Sequence, residues 1–182
     1  MSKNRRSLKI LAAMSLMVAI SIVCGKYLAI PGGEVLRFSF ENLPIMMAGM
    51  LFGPLAGAAV GVVADLVGCV LVGYTVNPLV TLGATMIGLV SGGVWQLLRH
   101  RKTVSYTACV ILSVAAAHLV GSVIIKTFGL AAYYAFPLWE LMLWRLLNYV
   151  LVGAVEGTLL FILIKNKLLM KQFSVIYSGE KD

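Results

Sequence analysis

The densest chemistry in an otherwise apolar chain lies close to its C-terminal end. Arg145, Asn148, Val152 and Glu156 fall at offsets of three, seven and eleven, which sets an arginine, an amide and a carboxylate at successive depths on one face of a helix. Polar groups on one strip of an apolar helix have to face protein or water rather than lipid. There they would pair with one another, with Glu156 or Asp65 available to Arg145, or Arg145 would meet an anion, since it lies about two turns from Pro137. Asp65 is set in the middle of a second apolar stretch. It would bind a cation, relay protons, or accept bonds from Arg145 or from Ser and Thr of neighbouring helices. The structural reading is preferred, because its helix holds no second acid. His118, Ser122 and Lys126 follow one another at spacings of four; a hydrogen-bonded histidine and a lysine that snorkels or serves an anion fit that face. Arg37, between Leu36 and Phe38, would clamp a carboxylate bidentately or anchor at headgroup depth.

These groups need elements to carry them, and composition says which. The 182 residues are 60% hydrophobic and 12% charged, with a mean hydropathy of +0.96; soluble domains do not reach such values. A spanning helix needs about 20 apolar residues, and the chain offers segments near 8–29, 40–53, 55–74, 78–98, 104–127 and 138–164. The expectation is an all-α integral membrane protein, a single membrane domain over 1–182 with six transmembrane helices. Phe52-Gly53-Pro54-Leu55 reads as a tight reversal, glycine ending one helix and proline opening the next. Asn77-Pro78 is a helix start, followed by Thr81, Thr85, Gly88 and Gly92 on one face. Gly57, Gly61, Asp65 and Gly68 form a comparable stripe on the preceding helix, suited to close approach of another backbone.

Orientation follows from the cations. Lys3, Arg5, Arg6 and Lys9 precede the first helix, Arg99, Arg101 and Lys102 separate the fourth from the fifth, and Lys165, Lys167, Lys171 and Lys181 follow the sixth. Six spans put all three groups on one side, which the positive-inside rule makes cytoplasmic, with both termini. Most of the net charge of +8 therefore serves topology and lipid headgroups, not nucleic acid. The first helix is expected to be retained, since equally apolar segments follow it and Val23 does not suit a lipoprotein site at Cys24. Cys24, Cys69 and Cys109 show no disulfide or metal spacing and read as packing residues. No phosphate loop, zinc motif or nucleophile elbow is present, so neither an enzyme nor a cofactor is expected, and any energy for transport would come from a partner.

The stretch 37–73, RFSFENLPIMMAGMLFGPLAGAAVGVVADLVGCVLVG, followed by YTVNPLVTLGATMIGLVSGGVW, resembles the substrate-binding subunits of energy-coupling factor (ECF) vitamin transporters, and most of all their folate-specific branch. The resemblance implies a six-helix bundle in the cell membrane with a vitamin pocket open to the outside. It implies assembly with a transmembrane coupling subunit and two ATP-binding-cassette ATPases, the first helix supplying small residues to that interface. Here the family's alanine pair is not intact, since Ala12 and Ala13 are followed by Leu16 and Met17, whereas Ser15 and Ala19 keep a small pair; the residues expected at the interface are Ala12, Ser15 and Ala19. It also moves Arg37 from an anchor toward a gate over the ligand. For a folate, aromatics such as Phe38 and Trp139 would stack on the pterin. Asn77, Thr81 and Asn148 would read its polar edge, and Arg37, Arg145 or Lys126 would meet the carboxylates. The same chemistry would serve pantothenate or a deazapurine (queuosine) precursor. A membrane enzyme using Asp65, His118 and Glu156, or an assembly subunit without a ligand, are the readings from other classes.

Overall fold

Two signals of the sequence build the centre of the bundle directly. The Asn77 side chain accepts a bond from the Leu79 amide at 3.0 Å and so caps the helix that Pro78 opens. Gly53 takes φ 106° between two helices, a conformation that a side chain rarely adopts. In the computed structural model, residues 3–31, 37–101, 103–167 and 170–171 are described, without the side chains of 3–6, 31 and 37. Lys102, Lys181 and residues 32–36 lie outside the described residues.

The elements in order are α1 (Lys3–Ile22), a π-helical turn π1 (Val23–Tyr27), strands β1 (Ile30–Pro31) and β2 (Arg37–Phe38), then α2 (Asn42–Phe52), α3 (Pro54–Val72), α4 (Pro78–Leu98) and α5 (Tyr106–Ala117). A second π-helical segment, π2 (His118–Ile125), leads into α6 (Lys126–Tyr134), and α7 (Leu138–Lys165) follows. The strands form a short antiparallel hairpin pairing Ile30 with Phe38 and Pro31 with Arg37. Five continuous helical stretches among the described residues are long and apolar enough to cross a membrane: 7–27, 54–72, 78–98, 106–134 and 138–165. The chain is thus an all-α multi-pass membrane protein apart from that hairpin, with α2 as an additional short apolar helix.

The glycine stripes meet one another. A Cβ on Gly88 of α4 would strike the backbone of Gly57 on α3, one on Gly61 would strike Ala84, and one on Gly92 would strike Gly49 on α2. Backbones brought this close gain dispersion contacts along their length, which is how helices associate in lipid. Around this contact Ile45, Met46, Val60, Ile87, Val110 and Leu160 close a buried core.

The fifth segment differs from expectation. It does not stop near residue 127; helix continues to Tyr134, so Tyr133 and Tyr134 sit on a helix. Gly129 does not break it, because Asn77 donates to the Gly129 carbonyl at 2.9 Å and the glycine lets α6 approach Leu79 and Val80. The stop comes at Ala135, with φ 55°, just before Phe136-Pro137, where proline disfavours helix at its predecessor.

Candidate functional site

Seven elements or their links converge at one end of the bundle on a cavity of about 450 Å³, within the range of small-molecule sites. Its wall carries Lys26 from π1, Glu41 from the link into α2, Asp65 from α3, Asn77 ahead of α4, Lys126, Tyr133 and Tyr134 from α6, and Arg145 and Tyr149 from α7. Three cations face two acids, so the lining carries one excess positive charge (3 − 2 = +1). A larger void of about 680 Å³ runs between α5, π2 and α7, lined almost wholly by apolar side chains such as Val110, Val114, Leu146 and Val150. Its rim residues Ile111, Leu119 and Val150 are exposed at membrane-spanning positions, which makes it a hydrocarbon-facing groove. The smaller, polar cavity is the candidate site.

Each ionic group in the cavity has a defined neighbour. Lys126 Nζ donates to Glu41 Oε1 at 2.8 Å, from an almost fully buried side chain to one that is 26% exposed. Thr81 Oγ1 donates to Asp65 Oδ2 at 2.6 Å. Lys26 Nζ lies 3.8 Å from Cys69 Sγ and 5.5 Å from the centre of the Tyr74 ring. Arg145 donates to the Ser122 carbonyl through Nε at 3.2 Å and Nη2 at 2.9 Å, and its guanidinium carbon stands 5.2 Å from the centre of the Tyr149 ring. Burial of Lys126 and Arg145 strengthens their contacts and raises the cost of leaving them unmade.

The residues singled out from sequence fall in different places. Arg145 and Asn77 line the cavity. Both ends of the Asn77 amide are occupied by the helix cap and by Gly129. Thr81 reaches the cavity through Asp65. Asn148 is buried within the bundle, Phe38 is 38% exposed and Trp139 is 74% exposed, and none of these three lines the cavity. Arg37 has its backbone in β2, and its side chain lies outside the described residues. On α1, Ala12, Ser15 and Ala19 are all exposed. Glu156 does not meet Arg145; it pairs with His118 at 2.7 Å. Asp65 takes a threonine hydroxyl, one of the structural partners expected of it.

Glu41, Tyr149 and the inward role of Lys26 were missed from sequence. Glu41 stands in the RFSFENLP stretch just ahead of a helix, where an acid reads as a generic favourable charge at an N-terminus. Nothing in spacing connects it to Lys126, 85 positions away. Among the described residues no group of three or more His, Cys, Asp or Glu side chains is placed to hold a metal ion.

A membrane bundle with a polar, charged cavity at one end has the form of a solute-binding membrane component. The family model described as "ECF transporter, substrate-specific component" matches residues 9–169, and the chain belongs to that family. It is accordingly a transport subunit rather than an enzyme. A curated relative, the folate transporter FolT of Clostridium novyi (strain NT), is 29% identical over 91 residues, covering 46% of this chain and 51% of that protein. The match thus spans about half the length of the relative. Among solved structures, FolT bound with folic acid superposes with a TM-score of 0.67 at 25% identity, over 83% of this chain and 89% of that one. The S-component for biotin from an ECF-type ABC transporter gives 0.59 at 21% identity, over 87% and 94%. The S component of a bacterial ECF transporter gives 0.54 at 18%, over the whole of both chains. The last two show the fold alone.

Proposed function

We propose that this chain is the folate-binding subunit of an ECF-type importer. It takes folate from the outside into the cavity between π1, the link into α2, α3, the start of α4, α6 and α7, and delivers it with a transmembrane coupling subunit and two ATP-binding-cassette ATPases. The observation that carries the reading is the cavity lining: Arg145, Lys126 and Lys26 to attract a dianion, and Tyr74, Tyr133, Tyr134 and Tyr149 to flank a flat ring. The likeness to the folate transporter and to FolT bound with folic acid supports this ligand over other vitamins. Six membrane crossings, with α2 as the short second one and both termini cytoplasmic, complete the reading. The binding set is Arg145, Asn77 and the Thr81–Asp65 pair, joined by Lys26, Glu41, Lys126 and Tyr149. Arg37 serves as the gate over them, and Ala12, Ser15 and Ala19 form the surface for the coupling subunit.

Uptake of labelled folate tests this. Cells that lack their own folate uptake should accumulate folate when they express this chain together with a coupling subunit and its ATPases. They should not do so when the chain or the ATPases are left out. Accumulation that needs no ATPase partner would contradict the proposal.

A further inference from the structure

Behind the cavity lies a second polar cluster, and it reaches the cavity through Arg145 and Tyr149. Glu156 Oε2 lies 2.7 Å from His118 Nε2, and His118 Nδ1 lies 3.2 Å from Ser122 Oγ. The His118 ring stacks on Tyr149, with centroids 5.0 Å apart and planes 28° from parallel. Ser122 gives its carbonyl, and Tyr149 its ring face and hydroxyl, to Arg145. Glu156, His118, Ser122 and Arg145 are all buried. Of the five guanidinium donors, those on Nε and Nη2 are taken up by Ser122 and Tyr149, while Nη1 bonds to no described residue.

We propose that His118 and Glu156 are positioning residues for Arg145: they fix the Ser122 segment and the Tyr149 ring between which the guanidinium rests, so that Nη1 is presented to an anionic or carbonyl oxygen of the ligand. The inference rests on the cavity being the folate site. Four features of the structure carry it. A histidine and a glutamate at membrane depth are costly, and apolar side chains would join π2 to α7 at less expense. The helix is π-wound over His118–Ile125, a departure from α geometry that recurs at functional sites. Gly153 of α7 stands where a Cβ would come within 3.2 Å of His118 Cδ2, so α7 leaves room for the ring. An arginine held in place before binding also avoids the ordering cost that a free side chain would bear when the ligand arrives.

A double-mutant cycle on the purified full chain, read by calorimetric titration with folate and by thermal melting, tests the assignment. His118→Ala and Glu156→Ala should each weaken folate binding by at least about fivefold in variants that still melt cooperatively. Glu156→Gln should recover most of the loss, since its amide oxygen can still accept from Nε2. In the Arg145→Ala background, adding His118→Ala should weaken binding no further. Should His118→Ala fail to fold, Gly153→Val, which crowds the same ring, takes its place in the cycle. Full additivity with Arg145→Ala, or unchanged affinity in folded His118 and Glu156 variants, would overturn the inference and leave the pair a helix-to-helix tie. No folate binding by the folded wild-type chain would overturn the proposed function as well, so the two failures are distinguishable.

Discussion

Lys126 sets the electrostatic balance of the cavity, because its ammonium group is buried and Glu41 is the acid it meets. Breaking a buried pair leaves the remaining charge without compensation, at a cost of roughly 3–5 kcal/mol. Glu41 keeps partial access to solvent, so Lys126→Met should fall toward the lower end of that range. Lys126→Met combined with Glu41→Gln should be more stable than Lys126→Met alone, as read by thermal melting in detergent; an additive double variant would show that the two residues do not interact. The Thr81–Asp65 bond makes a similar prediction at smaller scale. Thr81→Val removes a hydrogen bond to a charged group and should cost about 1.5–3 kcal/mol, measured in the same way. Sequence showed the residue types but not the partners. Arg145, Asn148 and Glu156 were legible as an inward strip because helical periodicity fixes which side chains share a face. That Glu156 would find His118 rather than Arg145 depends on the position of π2 beside α7, which no spacing within one helix encodes.

At the scale of elements, stability is concentrated where α2, α3 and α4 share backbone contact. Gly88→Ala would place a methyl group against the backbone of Gly57, whereas a Cβ at Gly93, on the same helix, meets nothing within 4 Å. Gly88→Ala should therefore abolish or severely reduce folded protein, and Gly93→Ala should leave it intact or stabilise it by about 0.5–1 kcal/mol through helix propensity. Size-exclusion profiles and melting curves of the two variants would check the contrast, and equal tolerance would contradict the packing described. The Gly53-Pro54 reversal and the Asn77-Pro78 start were readable in advance, since each depends on local dihedral and capping chemistry. The two π-helical segments and the extension to Tyr134 were not. An i→i+5 register has no propensity of its own, and Gly129 reads as a breaker until the Asn77 amide is seen to bond its carbonyl.

For the molecule as a whole, the exposed faces suggest which surfaces meet lipid and which meet partners. Ala12, Ser15 and Ala19 are exposed on α1, and the Ser15 hydroxyl is satisfied by the Leu11 carbonyl of its own helix at 2.9 Å. The strip thus presents small side chains with no unmet polar demand, a surface on which another helix can lie closely. Ser15→Trp or Ala19→Trp should leave folate affinity unchanged while abolishing uptake in the complete transporter. Normal uptake would move the coupling surface elsewhere.

The claim on which the rest depends is that the isolated chain binds folate in its polar cavity. Calorimetric titration of the detergent-purified protein, alone, with folate, pantothenate and thiamine in parallel tests it most directly. Saturable binding of one folate per chain is expected, weakened in Arg145→Ala, with no comparable binding of the other two vitamins. Saturable binding of pantothenate or thiamine in preference to folate, or of none of the three by a sample that melts cooperatively, would contradict it.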